Sequence, residues 1–141
     1  MNYKQYEIII GIDTGVNTGY AIYDTRTKKL LTVETIKVHE AILRILALRN
    51  EQVKLFVRFE DARLRKWFGS KGKEALQGAG SVKRDAKIMQ DFLEDYGIPY
   101  EAVAPKNNKT KVKADYFSKL TGWSKRTSEH SRDAAALIYG L

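Results

Sequence analysis

Four side chains in this sequence stand where a protein core has no use for them. Asp13 closes the apolar run Ile8-Ile9-Ile10-Gly11-Ile12, and Glu60 closes a second run, Leu55 to Phe59, with Asp61 beside it. Asp133 stands immediately before Ala134-Ala135-Ala136-Leu137-Ile138, and His130 is three residues earlier, on the same face of a helix. A carboxylate at the end of a buried strand costs desolvation energy unless positive charge compensates it. Two strand ends and one helix can bring three carboxylates together, and such a cluster stays ionised only with cations. Hard oxygen donors of this kind suit Mg2+ or Mn2+. Two such ions roughly 3.5–4 Å apart clamp the attacking and leaving oxygens of a phosphodiester displacement. His130 is then a ligand, an outer neighbour of the ligands, or a proton carrier.

Each residue alone also has a plainer reading. An Asp after a strand is commonly a turn residue or a helix cap. Glu60 and Asp61 read equally as a solvated strand end, His130 as a surface residue at a helix start, and Asp133 as a partner of Arg132 or Arg126. The coincidence of all four in a strongly basic chain is what favours chemistry.

That basic balance is large. Lys and Arg number 25 against 17 Asp and Glu, a formal +8 on 141 residues. A small domain so charged suits a polyanion, with nucleic acid the first candidate and an anionic membrane surface the second. The cations fall in two segments. Arg63, Arg65, Lys66, Lys71 and Lys73 surround Trp67 and Phe68, a mixture in which charges take phosphates and rings stack on or wedge between bases. The same rings also read as a cover over the core. Lys106, Lys109, Lys111, Lys113, Lys119, Lys125 and Arg126 follow, with Asp115 the one acid among them, and read as a phosphate track. One of Lys109, Lys111 and Lys113 is placed to reach a scissile phosphate; spacing does not choose among them.

The length suits a single domain over residues 1–141, and a hydrophobic content of 43% supplies one core. The lack of cysteine excludes a disulfide scaffold and thiolate zinc sites. A polar start and the lack of any apolar run of membrane-spanning length point to a soluble, cytoplasmic protein.

The elements that must position the four residues follow from periodicity. Tyr6 to Ile12 reads as a buried strand, and Gly15, Asn17 and Gly19 as a turn. Tyr20 to Asp24 and Leu30 to Ile36 complete an antiparallel meander. Glu40 to Arg49 has helical spacing and Lys54 to Glu60 returns to strand. Val82, Ala86, Met89, Leu93 and Tyr96 mark a long helix that stops at Gly97. Tyr100 to Ala104 is a strand, Val112 to Leu120 a helix, and Ser128 to Tyr139 a last helix capped by Thr127 or Ser128. This order predicts an α/β fold with a mixed sheet and helices packed on its faces.

Taken together, these residues resemble the RuvC-type Holliday junction resolvases, including their short phage-borne relatives. The resemblance lies in Ile10-Gly11-Ile12-Asp13-Thr14-Gly15 with Thr18-Gly19-Tyr20-Ala21, in Val57-Arg58-Phe59-Glu60-Asp61, in Leu76-Gln77-Gly78-Ala79-Gly80, and in Glu129-His130-Ser131-Arg132-Asp133-Ala134. The motifs occur in the family's order and span nearly the whole chain. The resemblance implies a ribonuclease H-like fold, a five-stranded sheet of three antiparallel then two parallel strands, with helices on both faces. It implies Asp13, Glu60, His130 and Asp133 as the metal-binding catalytic set for Mg2+ or Mn2+, in two ions, and Lys109 as the catalytic lysine. It further implies four-way branched DNA as the partner, paired nicking by a homodimer in a bacterial cell, and a dimer contact along the helix from Val82 to Tyr96. Thr14 stands where many members have Pro, and Trp67-Phe68 lies further from Glu60 than the aromatic of bacterial members. The chain is also shorter than typical bacterial members, and this and the changed loop after Glu60 bear on sequence preference and junction selectivity. Three rivals stand beside this: an actin-like ATP-binding domain, for which the chain is short; a nucleic-acid-binding module without catalysis; and a nuclease of the same fold with another substrate, since fold does not fix function.

Overall fold

In the computed structural model the described residues are 1–64, 73–105 and 112–141, with the backbone alone for 73–79. Strands β1 (Ile8–Asp13), β2 (Thr18–Asp24) and β3 (Lys29–Ile36) come first, followed by helix α1 (Val38–Asn50) and strand β4 (Leu55–Glu60). Helix α2 (Lys73–Asp95), strand β5 (Tyr100–Val103) and helices α3 (Ala114–Thr121) and α4 (Glu129–Ala136) complete the chain. The strands form one sheet in the order β3-β2-β1-β4-β5. β1 runs antiparallel to β2, and β2 to β3, whereas β1–β4 and β4–β5 are parallel. This is the mixed sheet that the order of elements and the resemblance implied.

β1 is central and covered on both faces, which is why its sequence is a continuous isoleucine run rather than an alternation. Ile8, Ile10 and Ile12 pack with Leu55, Val57 and Phe59 against Ala41, Ile45, Ala86, Met89 and Leu93 of α1 and α2. Ile9 and Phe56 point the other way, to Ala134 and Ala135 of α4, Ile138 just past it and Phe117 of α3. The alternation of strand side chains thus makes three layers from one sheet. Ile45 and Met89 are fully buried, each worth about 1.5–3 kcal/mol of apolar burial.

Several boundaries differ from the periodicity reading. Gly19 is a β2 residue paired with Asp13, not part of the turn. α2 starts at Lys73, ahead of the glycine motif at Leu76–Gly80. α4 ends at Ala136, and its cap is Ser128 rather than Thr127. Val112 precedes α3 instead of opening it. α2 stops as expected before Gly97, whose φ of 64° favours glycine.

Part of the apolar stripe of α2 serves the chain's own fold. Ala86, Met89 and Leu93 are fully buried in the chain's own core. Among the described residues, Ile88, off that stripe, and Tyr96, at its end, are exposed. Ala86, Met89 and Leu93 cover one face of the chain's own sheet, while Val82 is half-buried and Tyr96 exposed at the two ends of the stripe.

Candidate active site

The pairing of β1 with β4 places Asp13 directly opposite Glu60. Parallel neighbours in register point the same way, roughly 4.8 Å apart. Ile12 and Phe59, one residue earlier, face α1 and α2, so both carboxylates face α4. The site is therefore built where two apolar strands end together. Thr14 donates its Oγ1 hydrogen to the Glu60 carbonyl (3.4 Å), and Thr18 does the same to the Gly15 carbonyl (2.8 Å). The first bond ties the end of β1 to the end of β4, and the second closes the β1–β2 turn beside Asp13.

α4 brings the remaining side chains. Its start is fixed by a reciprocal cap: Ser131 N–H donates to Ser128 Oγ (3.1 Å) and Ser128 N–H donates to Ser131 Oγ (2.9 Å). Such caps contribute about 1 kcal/mol. The Ser128 hydroxyl also meets the Thr35 hydroxyl of β3, and Arg132 donates from Nε to the Val112 carbonyl (2.8 Å) and from Nη1 to Thr127 Oγ1 (2.9 Å). With the helix so anchored, His130 Nδ1 lies 3.3 Å from Asp13 Oδ2, across 117 residues of sequence. The Asp13 side chain is 14% exposed and that of His130 48%. A carboxylate largely out of water beside a solvent-reaching imidazole is an arrangement through which a proton can pass. Asp133 follows one turn later on the same helix face and is half-buried.

Two carboxylates on paired strand ends and an imidazole on one of them are donors whose chemistry fits a hard divalent cation. Among the described residues no three or more such side chains are grouped to hold a metal ion. Asp13 is paired separately with Glu60, across the two strands, and with His130; the set of four is not gathered around one point.

Asp61 and Arg63 differ from the plain expectation of a solvated strand end and a DNA-facing arginine. Asp61 is buried, with its N–H donated to the Val103 carbonyl at 2.8 Å. Arg63 grips its carboxylate through Nε (2.9 Å) and Nη2 (2.7 Å) and also donates to Gln90 of α2. Its charge is committed inside the chain. Burial pushes the Asp61 carboxyl up, but the side-chain and backbone hydrogen bonds from Arg63 outweigh it and leave the group below its ordinary value. A carboxyl depressed in the folded state stabilises the fold above its unfolded pKa, about 3.9, and the benefit is lost as pH falls through the folded value. Asp61→Asn should therefore lower the urea midpoint at pH 7 by more than at pH 3. An equal gap at both pH values would show that the ion pair contributes nothing.

Of the other expected DNA-contacting residues, Lys113 is exposed at the start of α3. Arg65, Lys66, Trp67, Phe68, Lys71, Lys106, Lys109 and Lys111 lie outside the described residues, and Lys73 is described by its backbone alone. Gly11 and Gly19, which the sequence reading did not place among the site residues, lie directly under the α4 backbone. A glycine inside a strand pattern is the signal that marks such a close approach.

The chain matches no protein-family model and no curated protein. Among solved structures it is similar to T. thermophilus RuvC in complex with Holliday junction substrate, with a TM-score of 0.54 and 19% identity over 92% of this chain and 89% of that one. The likeness establishes the fold: the sheet and its flanking helices are RuvC-like, within the ribonuclease H-like class.

Proposed function

We propose that this protein is a divalent-metal-dependent endonuclease that cuts branched DNA, resolving four-way junctions by paired phosphodiester hydrolysis. The observation that carries the reading is the pairing of Asp13 with Glu60 at adjacent strand ends with His130 on Asp13, in a fold like that of a RuvC seen with a Holliday junction. Asp13 and Glu60, with Asp133 and His130 of α4, are the residues to hold Mg2+ or Mn2+, which supplies Lewis acidity and an activated water when bound. Asp13 fixes the His130 imidazole, so that a proton released at the site has a route from Nδ1 to solvent. Lys109 takes the scissile phosphate. Arg65, Lys66, Lys71, Lys73, Lys106, Lys111 and Lys113 take flanking phosphates, and Trp67 and Phe68 pack on opened bases. Arg63 drops out of that set because Asp61 holds it. Paired cuts need two sites, and two copies of the chain supply them.

The test is a labelled four-way junction, a linear duplex and an RNA–DNA hybrid, each with the protein and Mg2+, Mn2+ or EDTA. Paired, metal-dependent nicks confined to the junction are expected. Cutting of the hybrid would keep the site and change the substrate. Tight junction binding without cutting under any condition would leave a binding module.

A further inference from the structure

We infer that Gly19 and Gly11 are positioning residues that set the depth of α4 on the sheet and thereby hold His130 against Asp13; the inference rests on the site reading above. A Cβ at Gly19 would stand 1.9 Å from the His130 carbonyl oxygen and 2.6 Å from its carbon. A Cβ at Gly11 would stand 2.2 Å from the Ala134 carbonyl oxygen and 3.1 Å from Ile138 Cγ2. Both obstructing oxygens belong to helix backbone, which has no rotamer to escape into. Reaching an ordinary contact of 3.4 Å from 1.9 Å takes a lift of about 1.5 Å, and a hydrogen-bonded helix moves as a unit.

The location makes the depth matter. Gly19 is the β2 partner of Asp13, so the tightest approach of α4 lies beside the candidate site. The residue resting on Gly19 is His130, whose imidazole reaches Asp13 at 3.3 Å. A lift of that size takes the pair out of hydrogen-bond range. The surroundings suit the same depth: Ala21, Ala134 and Ala135 are small and fully buried between helix and sheet. At the far end Arg58 of β4, two residues before Glu60, donates to the Leu137 carbonyl just past the helix. Arg58 lies 3.4 Å from Glu101 through Nε, an ion pair too poorly aligned to count as a hydrogen bond. The helix is thus seated on glycine near the site and tied to the strand of Glu60 at its other end.

The full-length chain with Gly19→Ala should bind Mn2+ at least tenfold more weakly than wild type, read directly by electron paramagnetic resonance of free Mn2+. Ile138→Ala is the comparison. Ile138 is fully buried at the far end of the α4 packing, and truncating it loosens the core without inserting an atom beneath His130. It should lose thermal stability and keep Mn2+ affinity within twofold. Wild-type Mn2+ affinity in Gly19→Ala overturns the inference, as does an equal loss in Ile138→Ala. If Gly19→Ala does not fold, Gly11→Ala, with its less severe 2.2 Å contact, takes its place, and unchanged affinity there overturns the inference equally. Lack of Mn2+ binding by the wild type is a separate result that removes the metal site itself.

Discussion

Asp13→Asn is expected to reduce metal-dependent cutting of a four-way junction by roughly a thousand-fold or more, about 4 kcal/mol of transition-state stabilisation, while junction affinity stays within about threefold. The substitution keeps the shape of the side chain and removes its charge. Asp13 lies opposite Glu60 and 3.3 Å from His130, so the charge it carries serves both cation binding and the orientation of the imidazole. The same pairing sets two like charges side by side, which costs folding energy when no cation is bound. The thermal midpoint of Asp13→Asn in EDTA should therefore equal or exceed that of wild type. That combination separates a functional carboxylate from a turn or capping residue, whose loss lowers stability and leaves activity in the folded fraction. Asp133→Asn should fall in the same direction for cutting. Full cutting by either variant would dismiss the proposed site.

A strong dependence on salt is expected for junction binding. With a net charge of +8, a contact with even four phosphates has a slope of about −3.6 in log affinity against log salt, and affinity falls roughly 150-fold between about 50 and 200 mM. Measured in EDTA, where cutting is silent, the slope reports phosphate contacts alone. Replacing Lys106 and Lys111 together with Gln should make the slope shallower by roughly two. The same pair of changes should affect a linear duplex and a junction alike, because phosphate contacts position without reading structure. A slope near zero would mean that the basic surface is merely a solvated face.

Much of the fold was legible in the residues alone. Strand and helix periods are local properties, so the isoleucine run of β1, the apolar run of β4 and the stripe of α2 each announced an element. The acids were legible for a related reason: a charge abutting an apolar run is costly wherever the run folds, so Asp13, Glu60 and Asp133 stood out before any contact was known. Composition likewise set a large positive net charge.

Only the tertiary structure decided the rest, because it depends on how distant segments pack. Strand register is one such quantity: a slip of one residue in β4 would turn Glu60 to the opposite face, and the packing of Phe59 and Val57 on α1 and α2 is what prevents it. The 3.3 Å approach of His130 to Asp13 depends on the depth of α4, which Gly11 and Gly19 permit through the absence of a side chain. Arg63 read as part of the basic loop because cations and aromatics follow it; the short 3-10 turn Ala62–Leu64 brings it back onto Asp61. The stripe of α2 was read as apolar, but a stripe carries no label for its partner, and only the packing showed that Ala86, Met89 and Leu93 lie on the chain's own sheet. Sequence thus determined which residues are costly to place, and packing determined which of them meet.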